Sequence, residues 1–484
     1  MSYPIRKEID GKELRSGVVT PVLQEKDQKD QKDSEDNEEG FARDVEQAIG
    51  HVPRTSEGKQ GDNIDGSSNA LLSRLRSNVS SYKDPGPPPD GGKAWIQVAM
   101  AHLVICETWG QISSYGVFQS YYSLSLGHPP SDISWVGSIQ IFLLFFIGTF
   151  SGRATDAGLF RPVFITGVFF QTLGIFMTSL STKYWQLFLA QGICTGIGNG
   201  LQFCPTMSLL STYFNQKRSL AMGIAASGSA TGGLIYPAIA SQLLSKIGFG
   251  WTMRIIGFVS LAQGLLTIAG MRTRLPPRKA GPLVEWAALK EVTYVLYCLG
   301  MFLNFWGLYF AFYYVGSFGR DNIGLTNKNS IYLLMIMNGV GYVGRLVPNY
   351  FADRTFGPLN TIIPFAFVSG IMLFSWSGVH SRGGLYAFSI IYGLFAAGIQ
   401  SMFPATLSSL TTDLSKAGVR MGMGFSIVSV ACLTGPPLAG ALLQSNHGNY
   451  LHAQMWAGTV LTCGGLTLLA ARLAKTGWKL CVRI

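Results

Sequence analysis

Long apolar runs recur along the chain between residues 95 and 474, and short polar connections separate them. A helix of about 20 residues is long enough to cross the hydrocarbon core of a bilayer. Glycine is frequent in these runs, as in membrane helices, where small residues let neighbouring backbones approach closely. The pattern predicts twelve membrane-spanning helices, spans 1 to 12, at 95–120, 133–152, 162–181, 185–211, 219–243, 250–271, 292–316, 329–350, 360–379, 384–410, 421–443 and 454–474.

Composition supports a membrane protein. Of 484 residues, 48% are hydrophobic and 13% are charged, whereas a soluble domain carries about 25% charged residues. The first 93 residues hold 14 of the 37 basic and 18 of the 26 acidic side chains, which gives them a net charge of −4. The positive net charge of +11 therefore comes from the apolar part of the chain. Basic residues between apolar runs orient a membrane protein. We therefore expect membrane lipid, and no nucleic acid, as a partner.

The N-terminal segment 1–88 is rich in Lys, Asp, Glu and Gln. Such a segment buries too little apolar area to offset its chain entropy, and we predict a disordered tail. It lacks the apolar stretch of a cleavable secretory signal, so the first span is expected to direct insertion.

The distribution of basic residues predicts the orientation. If the tail lies inside, sixteen basic residues lie in the inner connections and at the C-terminus. Cytoplasmic connections carry the excess of Lys and Arg, which predicts cytoplasmic termini for a multi-pass protein, expected in the plasma membrane. The outer connections would hold only five, namely Lys183, Lys246, Arg320, Lys328 and Arg382.

An internal repeat divides the apolar part in two. Asp156 after span 2 and Asp353 after span 8 are 197 residues apart, and Pro205 and Pro404 in spans 4 and 10 are separated by nearly the same offset. Duplicated halves are common in transporters. The predicted fold is an all-α membrane protein with two six-helix halves, 89–271 and 292–484, joined by a cytoplasmic loop at 272–291.

Two sets of motifs carry a family resemblance. The run Gly152-Arg-Ala-Thr-Asp156 with Arg161, and its weaker copy around Asp353 and Arg354, resemble the signature loop of the major facilitator superfamily. The run Asp90-Gly91-Gly92-Lys93-Ala94-Trp95 is similar to a motif of the monocarboxylate porter family, and the later sequence resembles its fungal members. This resemblance implies a twelve-helix transporter that works by alternating access.

Charged residues after spans 2 and 8 are candidates for a gate. Asp156, expected to face Arg153 and Arg161, could hold the halves together on the inner side, and Asp353 with Arg354 repeats the arrangement. The alternative is an ordinary surface salt bridge, worth less than about 1 kcal/mol.

Three ionisable residues lie inside predicted spans: Glu107, Arg254 and Arg345. Charged groups in a bilayer face the protein interior or a wet cavity, although Arg254 is close enough to a span end to reach the surface. The resemblance implies that Arg345 meets a substrate carboxylate. The animal porters also carry an aspartate and a lysine, whose positions here hold Gly341 and Ser113. Glu107 is therefore the candidate protonation site, with a structural hydrogen bond as the alternative.

Polar and aromatic residues on the spans that would line a central cavity form the candidate pathway. As a group they suit a planar or conjugated solute, although each alone also fits a hydrogen bond between helices. With Arg345 and Glu107, the candidate substrate residues are Gln111, Tyr115, Asn199, Gln202, Asn304, Tyr309, Tyr313, Asn338 and Gln400.

The expected function is secondary active transport of a small organic acid or related metabolite, with proton coupling left open. No phosphate-binding loop of an ATPase is present, so a gradient would drive transport. Export of a secondary metabolite is the alternative within this class, and a nutrient sensor built on the transporter fold is the alternative outside it. Without a metal-ligand cluster or a nucleophile motif, neither an enzyme nor a cofactor is expected.

Overall fold

A computed structural model describes residues 86–128, 130–276, 283–411 and 413–477. Helices account for most of these residues, and no β-strand occurs among them. The all-α prediction is confirmed. The predicted disordered tail lies outside the described residues, apart from its last three positions.

The N-terminal half contains six helical spans. Spans 5 and 6 share one long helix, which Gly248 interrupts with a φ of 77° and a ψ of 172°, a backbone conformation that a residue with a side chain rarely adopts. The bounds are Ala94–Leu126 for span 1, Pro130–Phe146 and Gly148–Asp156 for span 2, Phe160–Thr178 for span 3, Tyr184–Leu187, Phe188–Cys194 and Thr195–Tyr213 for span 4, and Arg218–Ala226 followed by Gly228–Gly270 for spans 5 and 6.

The C-terminal half repeats the pattern with six more. Short helical turns at Ala288–Lys290, Ala352–Phe356 and Leu414–Lys416 lie in the connections. The bounds are Val292–Ile323 for span 7, Asn327–Phe351 for span 8, Pro358–Trp376 for span 9, Arg382–Ser409 for span 10, Ala417–Ser445 for span 11 and Leu451–Thr476 for span 12.

Nine helices in the described chain are long and apolar enough to cross a membrane by length and composition, and the one at Arg218–Gly270 contains spans 5 and 6. Spans 1 and 4 lie outside these nine. Large apolar side chains such as Phe169 (60% exposed) and Phe258 (58%) point away from the protein. A soluble monomer rarely exposes such surface, whereas lipid covers it in a membrane protein.

The two halves meet most closely between spans 2 and 11. Gly148 and Gly152 on span 2 face Gly418 and Gly422 on span 11, and the backbones touch. A Cβ atom added to Gly152, Gly418 or Gly422 would meet a carbonyl oxygen of the facing helix well inside van der Waals contact. We call these four residues the glycine seam. Pairs of small residues four apart allow this close approach in membrane helices.

The seam lies near the end of the bundle that carries Asp90, Asp156, the described linker residues 272–276 and 283–291, and Asp353. We call this end the linker end.

Candidate functional site

A central cavity lies between the two halves. It contains about 410 Å³ of space between atoms, including space open to solvent. Spans 1, 2, 4 and 5 of the first half and spans 7, 8, 10 and 11 of the second contribute its walls. The lining residues are Ile105, Trp109, Phe145, Phe203, Met207, Ala226, Ser229, Phe305, Tyr309, Arg345, Gln400, Ser401, Phe403, Pro404 and Phe425.

Arg345 is the charged residue in the cavity wall. Its side chain is only 3% exposed, and its Nη2 atom donates a hydrogen bond of 3.1 Å to Oε1 of Gln400. Among the described residues, Nη1 has no hydrogen-bond partner. A guanidinium has five donors and no acceptor, so this site is suited to an oxygen acceptor, and best to an anionic one.

Gly341 gives this guanidinium its space. A Cβ atom at position 341 would lie 2.5 Å from Nη1 of Arg345. Glycine at this position therefore leaves room for the arginine side chain.

Two rings from opposite halves lie parallel in the cavity wall. Trp109 of span 1 and Tyr309 of span 7 have their ring centroids 6.4 Å apart and their planes 15° apart. The Tyr309 hydroxyl is buried, with no hydrogen-bond partner in the described part of the chain. Sequence reasoning found Tyr309 and missed Trp109. The sequence did mark Trp109 as unusual, because it lies in the middle of a span, whereas membrane helices concentrate tryptophan at the bilayer surfaces.

The structure brings Tyr309, Arg345 and Gln400 together, while the other candidates do not line this cavity. Glu107 accepts a hydrogen bond from Ser260 of span 6, and Gln111 donates to the same hydroxyl over 3.3 Å. The second Glu107 carboxylate oxygen has no hydrogen-bond partner within the described chain.

Most of the remaining candidates bond to nearby groups, either on another helix or one turn back on their own helix. A polar side chain in a membrane helix takes the nearest carbonyl or amide. Tyr115 donates to the Ile133 carbonyl, Gln202 to Gln171 of span 3, Asn304 to Gly300 and Asn338 to Leu334, whereas Asn199 is buried and Tyr313 packs against the core.

At the linker end, two aspartates join the halves. The Asp156 carboxylate accepts hydrogen bonds from the backbone N–H groups of Gly418 (3.0 Å) and Val419 (2.9 Å). Asp353 likewise accepts from Ser219 (3.0 Å) and Leu220 (2.7 Å). Each carboxylate lies at the start of a helix of the other half, where free N–H groups and the helix dipole favour an anion. We call this pair of contacts the aspartate clasp.

The backbone partners were not predicted from sequence, which pointed to arginine partners. Arg153 is half-buried and Arg161 is exposed. Arg354 stacks over the Tyr350 ring at 4.6 Å. Arg218 adds another link between the halves, because its Nη1 atom donates to the Ser408 carbonyl of span 10 over 3.1 Å.

The Asp-Gly-Gly motif supports the start of span 5. Asp90 Oδ1 accepts hydrogen bonds from the backbone N–H groups of Asn215 (2.8 Å) and Lys217 (3.2 Å), and Trp95 packs edge-on against Phe214 at 5.2 Å. These contacts hold the connection from span 4 just before the residues that bind Asp353.

An ion-pair network supports the start of span 11. Arg420 Nε donates to Glu285 over 2.9 Å, its terminal nitrogens bond Glu291, and Lys416 lies 3.2 Å from Glu285. Burial alone would raise the pKa of Glu285, but the hydrogen bonds from Arg420 and Lys416 hold it below its usual range. The linker is thereby fastened beside the N–H groups that bind Asp156. Within the residues described, no group of three His, Cys, Asp or Glu could hold a metal ion.

Comparison with known proteins agrees with this arrangement. Residues 103–418 match the Major Facilitator Superfamily. The chain belongs to this superfamily. It is therefore an integral multi-pass membrane transporter and not an enzyme, as the sequence predicted.

Relatives within the superfamily are fungal transporters. An MFS-type transporter of Gibberella zeae is 47% identical over 84% of this chain and 92% of its own length. The aspyridones efflux protein of Emericella nidulans is 36% identical over 80% of this chain and 79% of its own length.

A solved structure shows the same fold. The human organic anion transporter MFSD10 matches 79% of this chain and all of its own, with a TM-score of 0.62 and 14% sequence identity. At that identity the likeness concerns the fold alone.

Proposed function

We propose that this transporter exports a secondary metabolite of low polarity that carries one acidic group. The carrying observation is the cavity, whose walls are aromatic and apolar around a single guanidinium. Apolar and aromatic walls with a few polar groups are typical of sites that bind small organic molecules. A carboxylate of only a few atoms would leave most of the aromatic wall without contact. The efflux relative of Emericella nidulans supports export over uptake.

Alternating access would open the linker end and the opposite end in turn. Asp156 and Asp353 act as the gate residues in this proposal, which is supported by the contacts that the aspartate clasp and the glycine seam make between the halves. The halves 89–271 and 292–484 move against each other, with the loop 272–291 between them. Both termini face the cytoplasm, as the sixteen basic residues of the inner side favour, and the plasma membrane is the location that fits export.

The monocarboxylate porter branch remains part of the proposal. Its support is the Asp-Gly-Gly motif, whose Asp90 holds the connection before span 5. Gly341 and Ser113 replace the charged pair of the animal porters, so the fungal members are the better comparison.

Deleting the chain from its source organism tests export. We expect at least one conjugated acidic metabolite to move from the medium into the cells, because its exit route is lost. Mass spectrometry of medium and cell extracts measures the change. A wild-type copy should restore export, and an Arg345→Gln copy should not. Unchanged metabolites with lost growth on a simple organic acid would replace export by uptake, and unchanged metabolites with normal growth would favour the sensor.

The same cells report the orientation. If the complementing copy carries an epitope at residue 20, protease added outside intact cells should leave the epitope uncut. Cleavage of the epitope would reverse the proposed orientation without bearing on which metabolite is carried.

Glu107→Gln tests proton coupling. The amide keeps a similar shape but cannot titrate, so substrate exchange should persist while accumulation loses its dependence on a pH gradient. Both are measured in vesicles containing the purified protein. Ser260→Ala is the matched control, since it removes the hydroxyl that donates to Glu107 and leaves the carboxyl group. Accumulation that still follows the pH gradient in Glu107→Gln would assign Glu107 a structural role.

A further inference from the structure

The parallel rings of the cavity come from helices that belong to different halves. Trp109 is half-buried in span 1, and Tyr309 of span 7 faces it with a centroid distance of 6.4 Å. A ring between them would need two contacts of about 3.5 Å, or about 7 Å in total. The centroid distance of 6.4 Å is an upper limit on the spacing between the two ring planes and is below this total, so the halves have to move apart for a ring to enter between them.

Two buried donors lie in the same cavity wall. Within the described residues, the Tyr309 hydroxyl and Arg345 Nη1 have no hydrogen-bond partner, although Tyr309 is only 6% exposed and Arg345 only 3%. A buried donor without an acceptor is costly, so such groups are normally satisfied. Gln400 does not meet this need, because it bonds Arg345 through Nη2 and leaves Nη1 and the Tyr309 hydroxyl without a partner. An oxygen of a bound molecule would satisfy both donors.

The rest of the wall excludes a strongly polar occupant. Phe145, Phe203 and Phe425 pack edge-on or tilted against one another at 5.3 to 5.8 Å and continue the aromatic surface beside Trp109. A sugar or a zwitterion would lose its water here and gain few hydrogen bonds.

We propose that Trp109 and Tyr309 form a clamp for one planar conjugated ring, whose ionised oxygen substituent is held by Arg345 and the Tyr309 hydroxyl. This assigns the substrate class of the proposed exporter: flat, conjugated acids such as phenols, enols and aromatic carboxylic acids. The assignment rests on the proposed function, but its test measures binding and requires no transport.

The test uses two probes with one carbon skeleton. 2-Naphthoate is planar, whereas decahydro-2-naphthoate is saturated and puckered, and both carry one carboxylate. Binding to the purified full chain is measured by calorimetry. Because only the flat probe can stack on both rings, the wild type should bind 2-naphthoate about tenfold more tightly.

The variants separate the two parts of the site. Trp109→Leu should reduce the preference for the planar probe to less than about twofold, while Trp109→Phe, which keeps a ring, should retain part of it. Tyr309→Phe should preserve the preference and weaken the binding of both probes. Trp456→Leu is the matched control, because Trp456 packs against Trp306 at 5.5 Å and does not line the cavity.

Thermal unfolding of each variant checks the fold, and Tyr309→Leu replaces Trp109→Leu if the latter does not fold. Equal binding of the two probes by the wild type would overturn the clamp, as would a planar preference that survives in both leucine variants. If the clamp is found but deletion leaves every metabolite in place, the export proposal fails and the binding site stands.

Discussion

Arg345→Lys is expected to weaken substrate binding by about 1 to 3 kcal/mol, roughly 5- to 150-fold, without loss of the fold. Lysine keeps the positive charge but has a compact ammonium in place of the planar fork. The wild-type fork bonds Gln400 through Nη2 and leaves Nη1 for the ligand. The single ammonium of a lysine at this position cannot reproduce the fork geometry that contacts Gln400 and the ligand together.

Calorimetry with the metabolite retained by the deletion strain measures this loss. Arg254→Lys is the matched control, since Arg254 lies in span 6 over the Trp251 ring at 4.9 Å and does not line the cavity. Normal affinity in Arg345→Lys would make the arginine a structural residue. The substrate would then be neutral and held by the aromatic walls and Gln400.

The sequence predicted best the features that depend on the length of apolar runs and on the position of charged residues. Apolar runs of bilayer length predicted helices that the structure contains, and the repeat of Asp156 at Asp353 located both halves of the clasp. A helix surrounded by lipid and protein is apolar on all sides, so its pattern does not show which way a polar residue faces. Span 1 illustrates this difficulty.

Helix geometry explains the outcome on span 1. Glu107 and Gln111 are four residues apart and share one face, and both turn toward Ser260. Ile105 and Trp109 share another face, about 200° away at 100° per residue, and that face lines the cavity. Sequence reasoning chose the polar face because charge in a membrane suggests function. Once the direction of one side chain on the helix is known, the rotation of about 100° per residue gives the direction of the others.

The clasp shows a second limit. Asp156 was expected to face arginine side chains, and the sequence did not indicate that it also accepts hydrogen bonds from two backbone N–H groups of span 11. Every helix start offers such donors, so no residue type marks them in a sequence. Only the packing of spans 2 and 11 selects this helix start as the partner.

The glycine seam is expected to give the other large effect, on turnover instead of affinity. In Gly418→Ala the new Cβ atom would collide with the Gly152 carbonyl oxygen and lie 2.5 Å from Asp156 Oδ1. Neither atom can move aside as the end of a long side chain could. In a helix, alanine is more stable than glycine by about 1 kcal/mol. The substitution should therefore weaken the contact between the halves without destabilising span 11.

We expect Gly418→Ala to hold the halves apart at the linker end and to slow turnover by at least about tenfold, because each cycle must close this end. Substrate affinity should stay within a few-fold. Spin labels at Leu159→Cys and Lys290→Cys, in a background that lacks the native cysteines, should report a longer distance across the linker end. Gly339→Ala is the control, since a Cβ atom there meets nothing within 4 Å.

Asp156→Asn separates the charge from the steric fit of the seam. Asparagine has nearly the same shape but no charge to set against the dipole of span 11, so it should slow turnover less than Gly418→Ala and leave affinity within a few-fold. Full turnover in Asp156→Asn would reduce the carboxylate to an ordinary surface contact. Full turnover in both variants would mean that the linker end does not have to close between spans 2 and 11, and the gate would then lie at spans 5 and 8, where Asp353 binds Ser219 and Leu220.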